Sequence, residues 1–86
     1  MIRTVTVQDP SGLHAGLAGA LYQIVKEQSV FGFIRYNSKT ANMKDFMKVL
    51  ALGIKSQETI TLIVDGDNEE TAICQMANLL EQREGA

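Results

Sequence analysis

The segment of the sequence that is most informative about the fold is Val5-Thr6-Val7-Gln8-Asp9-Pro10-Ser11-Gly12-Leu13-His14-Ala15-Gly16-Leu17-Ala18. Alternation of apolar and polar residues from Ile2 to Val7 is typical of a strand with one buried face. Asp9-Pro10-Ser11-Gly12 favours a turn, because proline presets φ and glycine tolerates a positive φ. Apolar residues then recur at helical spacing from about Ala15 to Lys26. A strand therefore passes through a tight turn into a helix, and His14, the one histidine of the chain, lies where that helix starts.

The rest of the chain predicts three more strands and two more helices. Strands are expected over Val30 to Tyr36, Lys39 to Met43 and Thr59 to Val64. A short helix is expected over Phe46 to Leu52, with Asp45 as its N-cap and Gly53 in the left-handed position that ends it. A last helix follows Asp65-Gly66-Asp67-Asn68, and its buried stripe is Ile73, Met76, Ala77 and Leu80. The order βαββαβα predicts an α+β fold, a four-stranded antiparallel sheet with three helices on one face.

Composition narrows the classes of function. A chain of 86 residues, 45% hydrophobic and 21% charged, is expected to form one soluble domain over residues 1–86. A net charge of −2 gives no electrostatic case for nucleic acid. With neither a signal peptide nor a membrane-length apolar run, and with Cys74 as its one cysteine, the chain is expected to be cytoplasmic and free of internal disulfides. We assign Cys74 no role and expect no metal and no cofactor, since one His and one Cys cannot complete a zinc site.

His14 is the candidate for chemistry. Unpaired amides and the dipole at a helix start attract phosphate oxygens. An unperturbed imidazole, with a pKa of about 6.5, is largely neutral and nucleophilic near pH 7. His14 could therefore accept a phosphoryl group and pass it on. The alternative is that His14 only caps the helix.

Three stretches resemble the HPr family, the histidine phosphocarriers of the bacterial sugar phosphotransferase system. The family motif is Gly-Leu/Ile-His-Ala-Arg-Pro-Ala, and Gly12, Leu13, His14, Ala15 and Ala18 match it. Residues 36–42 resemble the family's central hairpin, and residues 47–54 its second helix and exit. The resemblance implies an open-faced β-sandwich. It also implies phosphorylation of His14 from phosphoenolpyruvate by the system's first enzyme, and delivery to sugar-specific transport proteins.

Two residues depart from the motif. Gly16 and Leu17 stand where the family has arginine and proline. The arginine counters phosphoryl charge, so its loss predicts a slow or specialised carrier. The amides of Ala15, Gly16 and Leu17 are then expected to hold the phosphate. From the motif alone, returning arginine at position 16 should speed transfer.

The short second helix raises two further hypotheses. Asp45 matches a serine that a regulatory kinase phosphorylates in one branch of the family, after which the protein binds a repressor. Asp45 is therefore either a plain N-cap or a fixed negative charge in a regulatory module that binds a transcription regulator or metabolic enzyme. Together with Leu17, the apolar residues Phe46, Met47 and Leu50 are expected to form a docking surface for partners, the alternative being that they face the core.

The open face of the sheet is the last expectation. Pattern alone leaves the register of the second strand open, because Val30 and Ile34 compete with Phe31 and Phe33 for the core. The resemblance to the family hairpin places the two phenylalanines on the uncovered face. An apolar patch of Ile2, Phe31, Phe33 and Ile63 would then favour a homodimer, either of a carrier or of a stand-alone scaffold.

Overall fold

Residues 1–82 are described by a computed structural model of the chain. Its strands are Ile2–Thr6 (β1), Phe31–Tyr36 (β2), Lys39–Asn42 (β3) and Thr59–Asp65 (β4), and its helices are Ala15–Gln28 (α1), Phe46–Ala51 (α2) and Glu69–Glu81 (α3). The order is the predicted βαββαβα, and where bounds were predicted they differ by two residues at most. No helix within residues 1–82 is long and apolar enough to cross a bilayer.

The four strands form one antiparallel sheet in the order β1-β4-β2-β3. Side chains of alternate residues point to opposite faces, so each strand contributes one row to the core. On β2, Ile34 is fully buried while Phe31 is 63% exposed. The register expected from the family hairpin is therefore confirmed, and the one-residue slip that would bury the phenylalanine pair is excluded.

The core lies between the sheet and the three helices. α1 contributes Leu17, Ala18, Leu21 and Val25, and α3 contributes Ala72 and the predicted stripe of Ile73, Met76, Ala77 and Leu80. From the sheet come Val5, Ile34, Ala41, Ile60, Leu62 and Val64. Since the helices cover a single face, the other face of the sheet carries no layer within residues 1–82.

The turn before α1 is docked on the segment that follows α2. Leu13 N–H donates to the Ile54 carbonyl at 3.0 Å, and Gly12 N–H closes the turn onto the Asp9 carbonyl at 2.9 Å. Gly12 has a φ of +69°, and a Cβ there would lie 2.5 Å from the Ile54 oxygen and 2.9 Å from the Lys55 Cα. The contact is backbone on backbone, so only glycine fits.

Gly12→Ala should destabilise the fold by about 2 kcal/mol or more, since it combines a left-handed conformation with a clash against backbone. The matched control is Gly19→Ala inside α1, where a Cβ would meet nothing within 4 Å. That change should stabilise the protein by about 0.5–1 kcal/mol, the helix preference for alanine. Urea midpoints at constant m-value measure both effects. Equal midpoints for the two variants would show that the turn is not docked as described.

Candidate functional site

His14 is the N-cap residue of α1. Its backbone is extended, with φ −81° and ψ 177°, and its carbonyl accepts the Ala18 N–H at 3.0 Å. The side chain folds back over the helix start, where Nδ1 accepts the Gly16 N–H at 3.0 Å. The imidazole is 40% exposed, so a reactant can reach it. His14 is thus a helix cap in this structure, and the cap contact uses Nδ1.

The second ring nitrogen faces a carboxylate. His14 Nε2 lies 3.1 Å from Asp9 Oδ2. An amide N–H can only donate, so Nδ1 is the acceptor in its contact with Gly16. In the neutral ring the proton is then on Nε2, which donates to Asp9. The network therefore leaves Nδ1 unprotonated, with its lone pair directed at the Gly16 N–H at the helix start.

Asp9 is held by three donors. Its Oδ1 accepts the Ser11 N–H at 2.8 Å, and its Oδ2 accepts from Gln82 Nε2 at 2.9 Å in addition to His14. The Ser11 amide first, and then the His14 side chain, hold the pKa of Asp9 below its usual value. Asp9 is therefore an oriented carboxylate at neutral pH.

The first turn of α1 places the amides of Ala15, Gly16 and Leu17 next to His14. The first amides of a helix have no partner in the preceding turn, so this end can receive anionic oxygens. The Leu17 side chain, however, is only 7% exposed. It lies one turn before Leu21 on the core-facing side of α1, so the expectation that Leu17 forms part of the docking surface is wrong.

Gly16 leaves the space that the imidazole occupies. A Cβ at position 16 would lie 2.8 Å from Cε1 and 3.0 Å from Nδ1 of His14. Any side chain at position 16 would therefore require the ring to shift from this position. This changes the expectation for arginine at position 16, which would add a cation and displace the nucleophile together.

The exposed apolar residues of α2 lie at its N-terminal end. Met47 is 71% and Phe46 38% exposed, while Leu50 is half-buried and packs against the core. Val49 is the residue of this helix that is buried in the core. Because α2 packs against α1, this surface lies on the helix side of the sheet, as does His14.

Asp45 and Cys74, which the sequence analysis also discussed, each have a side-chain contact in the structure. Asp45 caps α2, with its Oδ1 accepting the Lys48 N–H at 3.2 Å, as the N-cap interpretation predicted. Cys74 is exposed on α3, and Asn78 Nδ2 lies 3.9 Å from its sulfur. No cluster of His, Cys, Asp and Glu within residues 1–82 is arranged to hold a metal ion.

Asp9 is the site residue that sequence reasoning missed. As a turn former before proline, Asp9 had a sufficient structural explanation, and its separation from His14 in sequence does not by itself set the direction of the carboxylate. The available signal was an acidic residue five positions before the histidine, on the other side of the same turn.

Comparison with known proteins agrees with this fold. Residues 1–82 match the family described as PTS HPr component phosphorylation site. The chain is 35% identical over 80 residues to the phosphocarrier protein HPr of Lysinibacillus sphaericus, covering 90% of this chain and 88% of that one. The crystal structure of HPr from Thermoanaerobacter tengcongensis superposes with a TM-score of 0.87 at 28% identity, over 100% of this chain and 97% of the other.

A third relative is Crh, the Bacillus subtilis catabolite repression containing protein, which forms an intertwined dimer by domain swapping. It superposes with a TM-score of 0.75 at 26% identity, over 91% of this chain and 90% of Crh. The family match spans nearly the whole chain. The chain belongs to the HPr family of phosphotransferase-system proteins.

Proposed function

We propose that this protein is a phosphocarrier that is reversibly phosphorylated on Nδ1 of His14. The observation that carries the proposal is the unprotonated Nδ1 of His14, which lies 3.0 Å from Gly16 N in the first turn of α1. In the transfer step this lone pair forms the N–P bond, while the bond from phosphorus to the donor breaks and the donor keeps its electron pair. The ring retains its Nε2 proton and becomes cationic.

The amides of the first turn then change partner. Gly16 N–H loses its acceptor when Nδ1 forms the bond to phosphorus, so it becomes free to donate to a phosphoryl oxygen. The amides of Ala15 and Leu17 lie in the same turn and add to this anion site. Three amides and a helix dipole replace the arginine of the family motif only in part, because no full positive charge faces the phosphoryl group.

Incubation with phosphoenolpyruvate and the first enzyme of the system should add one phosphoryl group. Intact mass under alkaline conditions measures it, since phosphohistidine survives there. His14→Ala should abolish the addition, because the other described residues offer no imidazole. Labelling that persists in His14→Ala would place the phosphate elsewhere. Absence of labelling with a competent donor would favour the regulatory module, with Asp45 as its fixed charge and a transcription regulator or metabolic enzyme as its partner.

The docking surface for the donor enzyme and for sugar-specific transport proteins is, in this proposal, the exposed end of α2. Phe46 and Met47 supply apolar area, and the flexible thioether of methionine adapts to more than one partner. Leu50 contributes only the exposed part of its half-buried side chain.

Met47→Ser should raise the KM for transfer from the first enzyme by about tenfold, the loss of roughly 1.4 kcal/mol of apolar contact. Tyr22→Ser is the control, because Tyr22 is 39% exposed, about as much as Phe46 at 38%, and lies on α1 outside both proposed contact surfaces. The control should leave KM unchanged. Equal effects of the two changes would remove α2 as the docking site.

The open face of the sheet is the proposed contact of a second copy. Ile63 is paired with Ile2 on one side and with Phe33 on the other, so the three side chains form one row across β1, β4 and β2. Phe31 lies two residues before Phe33 on the same face and is 63% exposed. A continuous apolar row of this kind favours burial against a partner. The dimer formed by Crh shows that a relative of this fold assembles in pairs.

Light scattering should give the mass of a dimer for the wild type and of a monomer for Phe31→Ser/Phe33→Ser. Both phenylalanines lie outside the core, so the double variant should keep the wild-type circular dichroism spectrum. A wild type that stays monomeric at high concentration would exclude the homodimer.

A further inference from the structure

We propose that Asp9 is a positioning residue for His14, and that Gly16 is the opening that lets the imidazole reach it. In this arrangement the Asp9 carboxylate keeps the imidazole proton on Nε2 and neutralises the positive charge that the ring gains on phosphorylation. The inference rests on the proposed function, since it concerns the same histidine. It adds to that function a second residue and an explanation for the missing arginine.

The tautomer is the first part of the argument. A neutral imidazole attacks through whichever nitrogen lacks a proton, and in water both tautomers are populated. Here Asp9 Oδ2 can only accept and the Gly16 amide can only donate, so the two contacts favour the same tautomer from opposite sides of the ring. Nδ1 is then unprotonated before the donor arrives, and no proton has to move during transfer.

Charge is the second part. Formation of the N–P bond leaves the ring with a bond at both nitrogens and one positive charge. Asp9 lies 3.1 Å from Nε2, on the side of the ring away from the helix amides. Its negative charge therefore faces the cationic ring at close range, whereas the phosphoryl oxygens face the amides of α1. A carboxylate on the Nδ1 side would instead repel the incoming group.

Room is the third part. In any other residue at position 16, the Cβ would lie 2.8 Å from Cε1 of His14, and the imidazole would have to shift. The imidazole therefore lies beside Asp9 without a clash because position 16 is glycine, a residue that costs about 1 kcal/mol relative to alanine in a helix. Asp9 itself is fixed independently of the histidine, by the Ser11 amide and by Gln82.

Asp9→Asn tests the positioning role without changing the size of the side chain. The asparagine oxygen can keep the Ser11 N–H, so the turn should persist. Its NH₂ group then faces Nε2 and Gln82, where a donor favours the other tautomer. Two measurements are made on the purified protein. Nitrogen-15 shifts of the His14 ring report the tautomer, and the rate of phosphorylation by phosphoramidate reports the nucleophile.

Phosphoramidate is a small donor whose P–N bond breaks to release ammonia, so it needs no docking surface. Wild type should show the Nε2–H tautomer, and Asp9→Asn should lose this preference. The variant should react at least about tenfold more slowly, well short of the ~10⁴-fold loss of the matching change in a buried catalytic triad, because this site is open to water.

Asp67→Asn is the matched control, because it makes the same chemical change at an exposed carboxylate in the turn before α3. Both its tautomer and its rate should stay close to wild type. Gly16→Ala supplies the coupling test. Once the ring is displaced from Asp9, the further change Asp9→Asn should have little effect, so the two changes should be strongly non-additive.

The inference is overturned if wild type shows the Nδ1–H tautomer, if Asp9→Asn reacts at the wild-type rate, or if the two changes are additive. Failure of the proposed function has a different signature. In that case His14 would still react with phosphoramidate in the manner described, while the first enzyme of the phosphotransferase system would transfer nothing to it.

Discussion

The docking of the β1–α1 turn on the chain after α2 is the constraint on which the site depends. Leu13 donates to the Ile54 carbonyl, and Gly12 approaches that carbonyl so closely that no Cβ fits between them. The turn therefore has one position relative to the core. Asp9 at its start and His14 at its end face each other across it, and α1 begins where the histidine can fold over its amides. Because folding already fixes the backbone of the turn, the two hydrogen bonds of His14 cost only the freedom of the side chains that form them.

Much of the fold could be predicted because two periodicities dominate the chain. β4 alternates strictly, and the stripe of α3 was correct at all four of its residues. The register of β2 could not be predicted from periodicity, because Phe31 and Phe33 compete on hydrophobicity with Val30 and Ile34. Pattern alone had no means of choosing, because the outcome depends on which face the helices cover. Resemblance to the family hairpin supplied the answer, and the sheet pairing agrees with it.

The position of His14 at the helix start could be predicted because local backbone geometry sets it, whereas contacts that tertiary structure sets could not be predicted. His14 and the amides that follow it sit where a turn leads into a helix, which is visible in the sequence. Leu17 was misplaced because the side of α1 that faces the core depends on the rotation of the helix against the sheet. Asp9 was missed for a related reason: a turn residue needs only one carboxylate oxygen for the Ser11 amide, and the direction of the second oxygen follows from the three-dimensional path of the turn.

Glycine at position 16 has two opposite consequences, one for the phosphoryl group and one for the imidazole. Compared with the family motif, Gly16 removes a positive charge, since the guanidinium that would face the phosphoryl group is absent. Around the histidine it is a gain of space, and the imidazole uses that space to reach a carboxylate. Phosphorylated histidine with its Nε2 proton is a dipolar group, anionic at phosphorus and cationic at the ring. An arginine stabilises the first charge and Asp9 stabilises the second. The positive charge of the ring arises when the N–P bond forms and is lost when the phosphoryl group leaves, so the carboxylate stabilises the phosphorylated state from the ring side, whereas an arginine stabilises it from the phosphoryl side.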